Sequence, residues 1–264
     1  MTQFNANCGP LRFSFEWRLT LLTLTLIPLL MSLGFWQLDR AQEKQVLAQR
    51  YQQRTALPSL ANTALEALLT STPRDQWSQS VADRSVTVNG RIDSSRYVLI
   101  DNQTRNGRFG YDVVIFVETD DVWVPVNLGW TPGDPARRSL PTPRLTGGSR
   151  QIAGRVYLPS QLPYMLAKPL PLSSLPSVVQ HFLPETLDGP ALFNSDHQIL
   201  PVEIRINADD PLALQADWPV VNQSPAKHTG YAVQWFTMSA VLLLAFVFGS
   251  SNLWSLIRRR PTAP

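Results

Sequence analysis

The chain has a single cysteine, Cys8, among 264 residues, so no intramolecular disulfide and no cysteine-pair zinc site can form. Cysteine usage is therefore silent on redox compartment. Charge is sparse as well, with Asp, Glu, Lys and Arg at 16% and a net charge of +3. There is no phosphate-cradling glycine loop, HExxH, CxxC or GxSxG, which removes the motif-bearing nucleotide, zinc and serine-hydrolase classes. No catalytic residue and no metal ligand is expected. Ser195-Asp196-His197 holds triad residue types, but a triad needs groups that converge in space, which sequence neighbours seldom do. A turn before a strand is the expected role.

What is present is segregated. Apolar residues crowd into two blocks, and the stretch between them has the composition of an ordinary globular domain. The first block, Leu19–Leu38, carries no charge. At about 1.5 Å per residue it covers about 30 Å, the depth of a bilayer's hydrocarbon. Pro28 inside it is tolerated by membrane helices as a kink. A cleaved signal peptide would have a shorter apolar core and a small-residue cleavage site, and Met31–Trp36 is a poor one, so a retained span is expected. The second block runs from Tyr231 to Ile257, interrupted by polar Gly249-Ser250-Ser251-Asn252. Trp235 and Trp254 are spaced to meet the two interfacial belts.

Arg12 and Arg18 precede the first block, and Arg258, Arg259 and Arg260 follow the second. Cationic flanks on the terminal sides predict cytoplasmic termini and an extracytoplasmic middle. The arginine run is read as that anchor rather than as a nucleic-acid patch. The expected plan is a cytoplasmic segment 1–18, a span 19–38, a domain 39–230, a span 231–257 and a tail 258–264.

Within the middle, Asp39–Tyr51 has neither Gly nor Pro and should extend the first helix into solvent. Asn62–Leu69 should form a short helix with Leu65, Leu68 and Leu69 on one face. From Ser85 the texture becomes β-like. Strands are expected at Ser85–Asn89 (ending in a turn at Gly90), Tyr97–Ile100, Tyr111–Glu118, Val122–Val126, Gln151–Tyr157 and Val202–Ile206, with Thr119-Asp120-Asp121 a hairpin loop. The proline-rich stretches 132–149 and 159–190 read as surface loops. The fold class is a membrane protein of α+β type, two transmembrane helices flanking a mainly antiparallel sheet or small barrel of five to seven strands.

The outer ends of the two spans hold the most informative residues. Trp36, Gln37 and Arg40 close the first, and Lys227, His228, Tyr231, Gln234 and Trp235 open the second. If the spans pair, these side chains share one membrane depth. Two readings of that layer are open. One is an aromatic belt with a surface histidine. The other is a haem site, with His228 as ligand and Arg40 and Lys227 meeting the propionates. His181 and His197 read as loop histidines.

These boundary segments resemble those of the surfeit-locus-one family of cytochrome c oxidase assembly proteins. The resemblance runs in order along nearly the whole chain. It covers Gly34, Trp36, Gln37, Leu38, Arg40 and Lys44, then Gly90, Asp101-Asn102, Gly107, Gly110 and Tyr111. It continues through Val126-Asn127, Gly129-Trp130 and Pro132 to His228, Tyr231, Ala232, Val233, Gln234, Trp235 and Phe236. It implies a non-enzymatic assembly factor of the bacterial inner membrane, acting with oxidase subunit I and other assembly factors, associated with haem a, and using a histidine at the position of His228. Gln103 and Leu128 stand where the family usually has arginine, so a role for those arginines would be lost or pass to Arg105, Arg108 or Arg40. Gly107 and Gly110 should serve positive φ or close backbone approach, and Gly129 a tight turn that packs Trp130 onto the sheet. A haem-independent chaperone and a membrane-anchored extracytoplasmic enzyme are the alternatives.

Overall fold

The computed structural model describes residues 3–8, 11–159, 172, 174–219 and 223–258. The chain divides into two compact units, Met1–Arg50 with Val220–Pro264, and Tyr51–Pro219.

In the first unit, strands β1 (Gln3–Cys8) and β2 (Leu11–Glu16) form an antiparallel hairpin, where the sequence suggested only a tail. The N-terminal helix follows at once and runs for 39 residues, Trp17–Thr55, through Pro28 and past Leu38. The C-terminal helix, Pro225–Gly249, begins ahead of the apolar run, with proline in its first turn where no amide donor is needed.

The expected single span to Ile257 is interrupted. The helix stops at Gly249, and a short helix, Leu253–Arg258, follows. The polar break has a use: the Ser14 amide donates to the Ser250 carbonyl at 2.8 Å, and the Asn252 amide to the Arg12 carbonyl at 3.1 Å. Backbone groups of Ser250–Asn252 thus join β2 instead of extending the helix.

The two long helices pair through small residues. Thr23, Gly34 and Ala41 are buried on one, Ala232 and Ser239 on the other. A Cβ on Gly34 would run into the Phe236 ring, and Phe35 meets that ring edge-on at 5.2 Å. Leu21, Leu22, Leu24, Leu29, Val241, Leu243 and Leu244 stay exposed. Helices of such length and apolarity, only 11% buried over their apolar windows, suggest membrane association.

The second unit is built on an eight-stranded sheet. Its strands are β3 (Leu60–Ala61), β4 (Ser85–Arg105), β5 (Arg108–Glu118), β6 (Val122–Pro132), β7 (Gly148–Tyr157), β8 (Ser177–Val179), β9 (Gln198–Ile199) and β10 (Glu203–Ile206). Ladders join β10 to β7, β7 to β4, β4 to β5, β5 to β6, and β6 back to β10, closing a five-membered ring. The long ladders are antiparallel, but β3–β4, β4–β8, β6–β9 and β6–β10 are parallel. The expected mainly antiparallel sheet is therefore mixed. Parallel pairing needs long connections; β3 and β4 are joined through the helices between Asn62 and Ser80, and other strands intervene in sequence between β4 and β8 and between β6 and β9 or β10.

The ring's interior holds Val86, Val88, Ile115, Val117, Val124, Val126, Leu128, Ile152, Ile204 and Ile206, sealed by Leu65, Leu69 and Trp77. The helix Asn62–Ser71 presents Leu65 and Leu69 to it, as its spacing predicts, with Leu68 packed alongside. Alternate residues on the other face, Val98, Ile100, Val114, Phe116 and Trp123, join Phe193 and Ile199 in a second cluster.

Three local expectations change. Gly90 ends no strand: β4 runs on through it, bending at irregularities between Ile92 and Tyr97 and between Ile100 and Gln103. A Cβ there would strike the Glu118 carbonyl, so glycine lets two strands close up. Gly129 forms no turn but a bulge inside β6, with φ +104, and a Cβ would lie 2.7 Å from the Gln215 backbone. The stretch 159–190 is not loop throughout, since its described part contains β8 and a turn of 3-10 helix at Pro184–Thr186. The Thr119–Asp121 hairpin and the turn at Asn106-Gly107 are as the residue types demand; both turn residues have positive φ, 51 and 72.

Candidate functional site

The first unit brings His228 and Gln37 together. His228 lies in the first turns of the C-terminal helix, one turn before the buried Ala232. Gln37 lies between Gly34 and Ala41 on the seam of the N-terminal helix. The small residues bring the backbones close enough for His228 Nδ1 to sit 2.8 Å from Gln37 Oε1, with both residues half-buried. An amide oxygen only accepts, so Nδ1 carries the proton. In the neutral ring Nε2 then keeps its lone pair, and among the described residues nothing bonds to it. A ring nitrogen fixed by one hydrogen bond while the other stays open is the arrangement of a metal-ligating histidine.

Arg40 does not meet His228. It pairs with Glu43 at 2.6 Å and lies over the Trp36 ring at 5.9 Å, on its own helix. Both partners of that pair are about half exposed, so the bond is worth little and is easily exchanged. Lys227, Tyr231 and Gln234 are exposed, Trp36 is half exposed, and Trp235 is partly covered. His228 and Gln37 are thus the joined pair of the expected layer.

The remaining resemblance positions build the second unit. Gly110 lies under the Trp130 ring and the Thr131 carbonyl. Tyr111 and Trp130 are buried, and Trp130 Nε1 donates to the Gln103 carbonyl at 2.9 Å. Leu128, where arginine was expected, is wholly buried inside the ring. Arg105 donates to the Asp217 carbonyl at 2.7 Å and Arg108 is exposed. Ser195 accepts from Trp123 Nε1 at 3.0 Å.

Sequence reasoning missed a polar cluster on the outer face of the ring. Asp112 of β5, Asn127 of β6 and Glu203 of β10 are each at most 6% exposed. Asn127 Nδ2 donates to Glu203 Oε1 at 3.0 Å, and Arg205 Nε approaches the same oxygen at 3.4 Å. The Arg205 guanidinium stacks on Tyr157 and Trp218. Burial pushes both carboxyls up from their ordinary values, against the opposing pull of nearby arginines and of Asn127. The available signal was a lone Asp inside the apolar run Gly110–Val117, and a lone Asn between Val126 and Leu128.

No curated protein matches the chain. The family model of the SURF1 family matches residues 24–240, from within the first long helix to within the second. The chain therefore belongs to the SURF1 family, the surfeit locus 1 family of cytochrome c oxidase assembly proteins.

Proposed function

We propose that the protein supports haem a insertion into the catalytic subunit of a haem–copper oxidase, with His228 as the transient haem ligand. Family membership supports the role in cytochrome c oxidase assembly, and the family's members are generally not enzymes. The observation that carries the haem reading is the His228–Gln37 hydrogen bond, which leaves Nε2 open. The residues fit such a cargo: one orientable imidazole, aromatic neighbours, and two exposed cations, Arg40 and Lys227, for the propionates. Haem would bring its own iron and redox chemistry. The chain's part is to bind, orient and release it.

In this reading the two long helices lie in the bacterial inner membrane and also contact subunit I and other assembly factors. The cationic terminal flanks support cytoplasmic termini with the second unit in the periplasm. The test is the visible spectrum of wild type and His228→Ala, each purified from haem-a-producing cells. Wild type should carry a Soret band and the variant should lose it while remaining in the membrane fraction. Equal haem in both removes His228 from the role. A wild type without haem that still captures subunit I leaves a haem-independent chaperone.

A further inference from the structure

Alternation along β10 sends Val202, Ile204 and Ile206 into the ring and leaves Glu203 and Arg205 on its outer face. On a free sheet face those two would meet water. Here β8 pairs with Val98–Ile100 of β4, and the segment after it, with Leu158 and Trp77, walls off the face into a cavity of about 600 Å³. Small-molecule sites typically enclose about 300–1,000 Å³. Trp77, Ile100, Phe182, Leu183 and Pro201 give the wall an apolar part, while Asp112, Asn127, Glu203 and Arg205 stand together on the strands.

The hydrogen bonds of this cluster do not close. Asp112 is 6% exposed, and its Oδ1 has no partner. Asn127 accepts the Gly129 amide at its Oδ1 and gives one Nδ2 hydrogen to Glu203, and its side chain also counters the upward shift of Asp112. Arg205 is held by Glu203 and two rings, and Arg105 by the Asp217 carbonyl and the Trp218 ring. At the rim, Arg74 and Glu185 neutralise each other at 3.0 Å, and His181 also lines the wall. Of the two buried acids only Glu203 bonds an arginine among the described residues; Arg105 and Arg205 act on Asp112 through space, and its Oδ1 keeps an open acceptor. An unmet buried acceptor is costly. No three His, Cys, Asp or Glu side chains converge among the described residues, so a metal ion would lack ligands.

We infer that this cavity binds an ammonium group carried on an apolar arm, with Asp112 as acceptor, Glu203 as second charge and the aromatic wall holding the arm. The source can be a free amine or a lysine side chain of a partner; the recognising chemistry is the same. A bound cation favours the ionised form of both acids, which burial opposes.

The experiment is calorimetry on the full-length, detergent-purified protein. The probes are phenethylammonium, its neutral analogue 2-phenylethanol, and the capped tripeptide acetyl-Leu-Lys-Phe-amide. At neutral pH at least one cation should bind at least about tenfold more tightly than the neutral probe. Preference for the amine identifies a small-molecule ligand, preference for the peptide a partner's lysine, and either supports the site. Asp112→Asn and Glu203→Gln, checked for folding by thermal melting, should each erase the cation preference and keep the neutral probe's affinity. No cation preference in the wild type, or a preference that survives both substitutions, overturns the inference. Both results are independent of haem at His228.

Discussion

The Nδ1 atom of His228 lies 2.8 Å from Oε1 of Gln37, across two helices whose meeting residues are 191 positions apart in the chain. One amide thereby sets the tautomer and direction of one imidazole. The relationship needs the small-residue seam of Gly34, Ala41 and Ala232, because larger side chains would hold the helices too far apart.

If Gln37 orients the ligand, Gln37→Leu should weaken haem retention by about tenfold while sparing membrane insertion, the usual scale for losing a partner behind a metal ligand. Gln37→Glu should retain more haem, since a carboxylate also accepts from Nδ1. Haem-to-protein ratios from visible spectra check both.

The seam itself can be tested at Gly34. Gly34→Val forces a side chain into the space of the Phe236 ring and should cost about 1–3 kcal/mol. Combining it with Phe236→Ala should recover part of that loss. Denaturant melts of the detergent-solubilised variants provide the readout.

A backbone prediction concerns Gly129. At φ +104 and 2.7 Å from the Gln215 backbone, Gly129→Ala meets both an unfavourable conformation and a clash. The loss should be at least about 2 kcal/mol, seen as a lower midpoint in chemical denaturation. Gly107→Ala has open space, so only the conformational cost at φ +72 remains, and it should be milder.

The buried acids predict a pH dependence. Asp112 and Glu203 both have pKa values raised in the folded protein, chiefly by burial, from ordinary values of 3.8 and 4.5. For an acid raised on folding, the folded state binds more protons than the unfolded one between the two values. Their contribution to stability is thus complete below the ordinary values and is lost as pH rises through the raised ones. Stability of the wild type should fall across that window, and Asp112→Asn should flatten the slope. Melting temperature against pH for the two proteins decides it.

Much of the architecture was legible from local pattern. Apolar runs announced both long helices, leucine spacing announced the helix at Asn62–Ser71, and Asn106-Gly107 suits its two-residue turn. The closure of the ring was not legible, because β10 joins β6 and β7 through connections far too long for local signals to report. Nor was the bulge at Gly129, since a glycine in a strand-like run reads equally as a turn. The break at Ser250–Asn252 was visible only as a polar interruption, and its partner β2 lies at the other end of the chain.

The candidate site divides the same way. His228 and Gln37 both stood out at the span boundaries, but sequence assigned the whole layer only a shared depth, and the packed helices alone joined His228 to Gln37. Asp112, Asn127 and Glu203 show the opposite limit. Their strand positions follow from alternation, yet whether a strand's polar side meets water depends on what later chain is laid over it. Sequence by itself determined which stretches are apolar enough for lipid, where strands alternate and which residues could turn. Tertiary structure alone decided which helices touch and which polar groups lose their water. Those outcomes rest on long-range approach and exclusion of solvent, which no local pattern encodes.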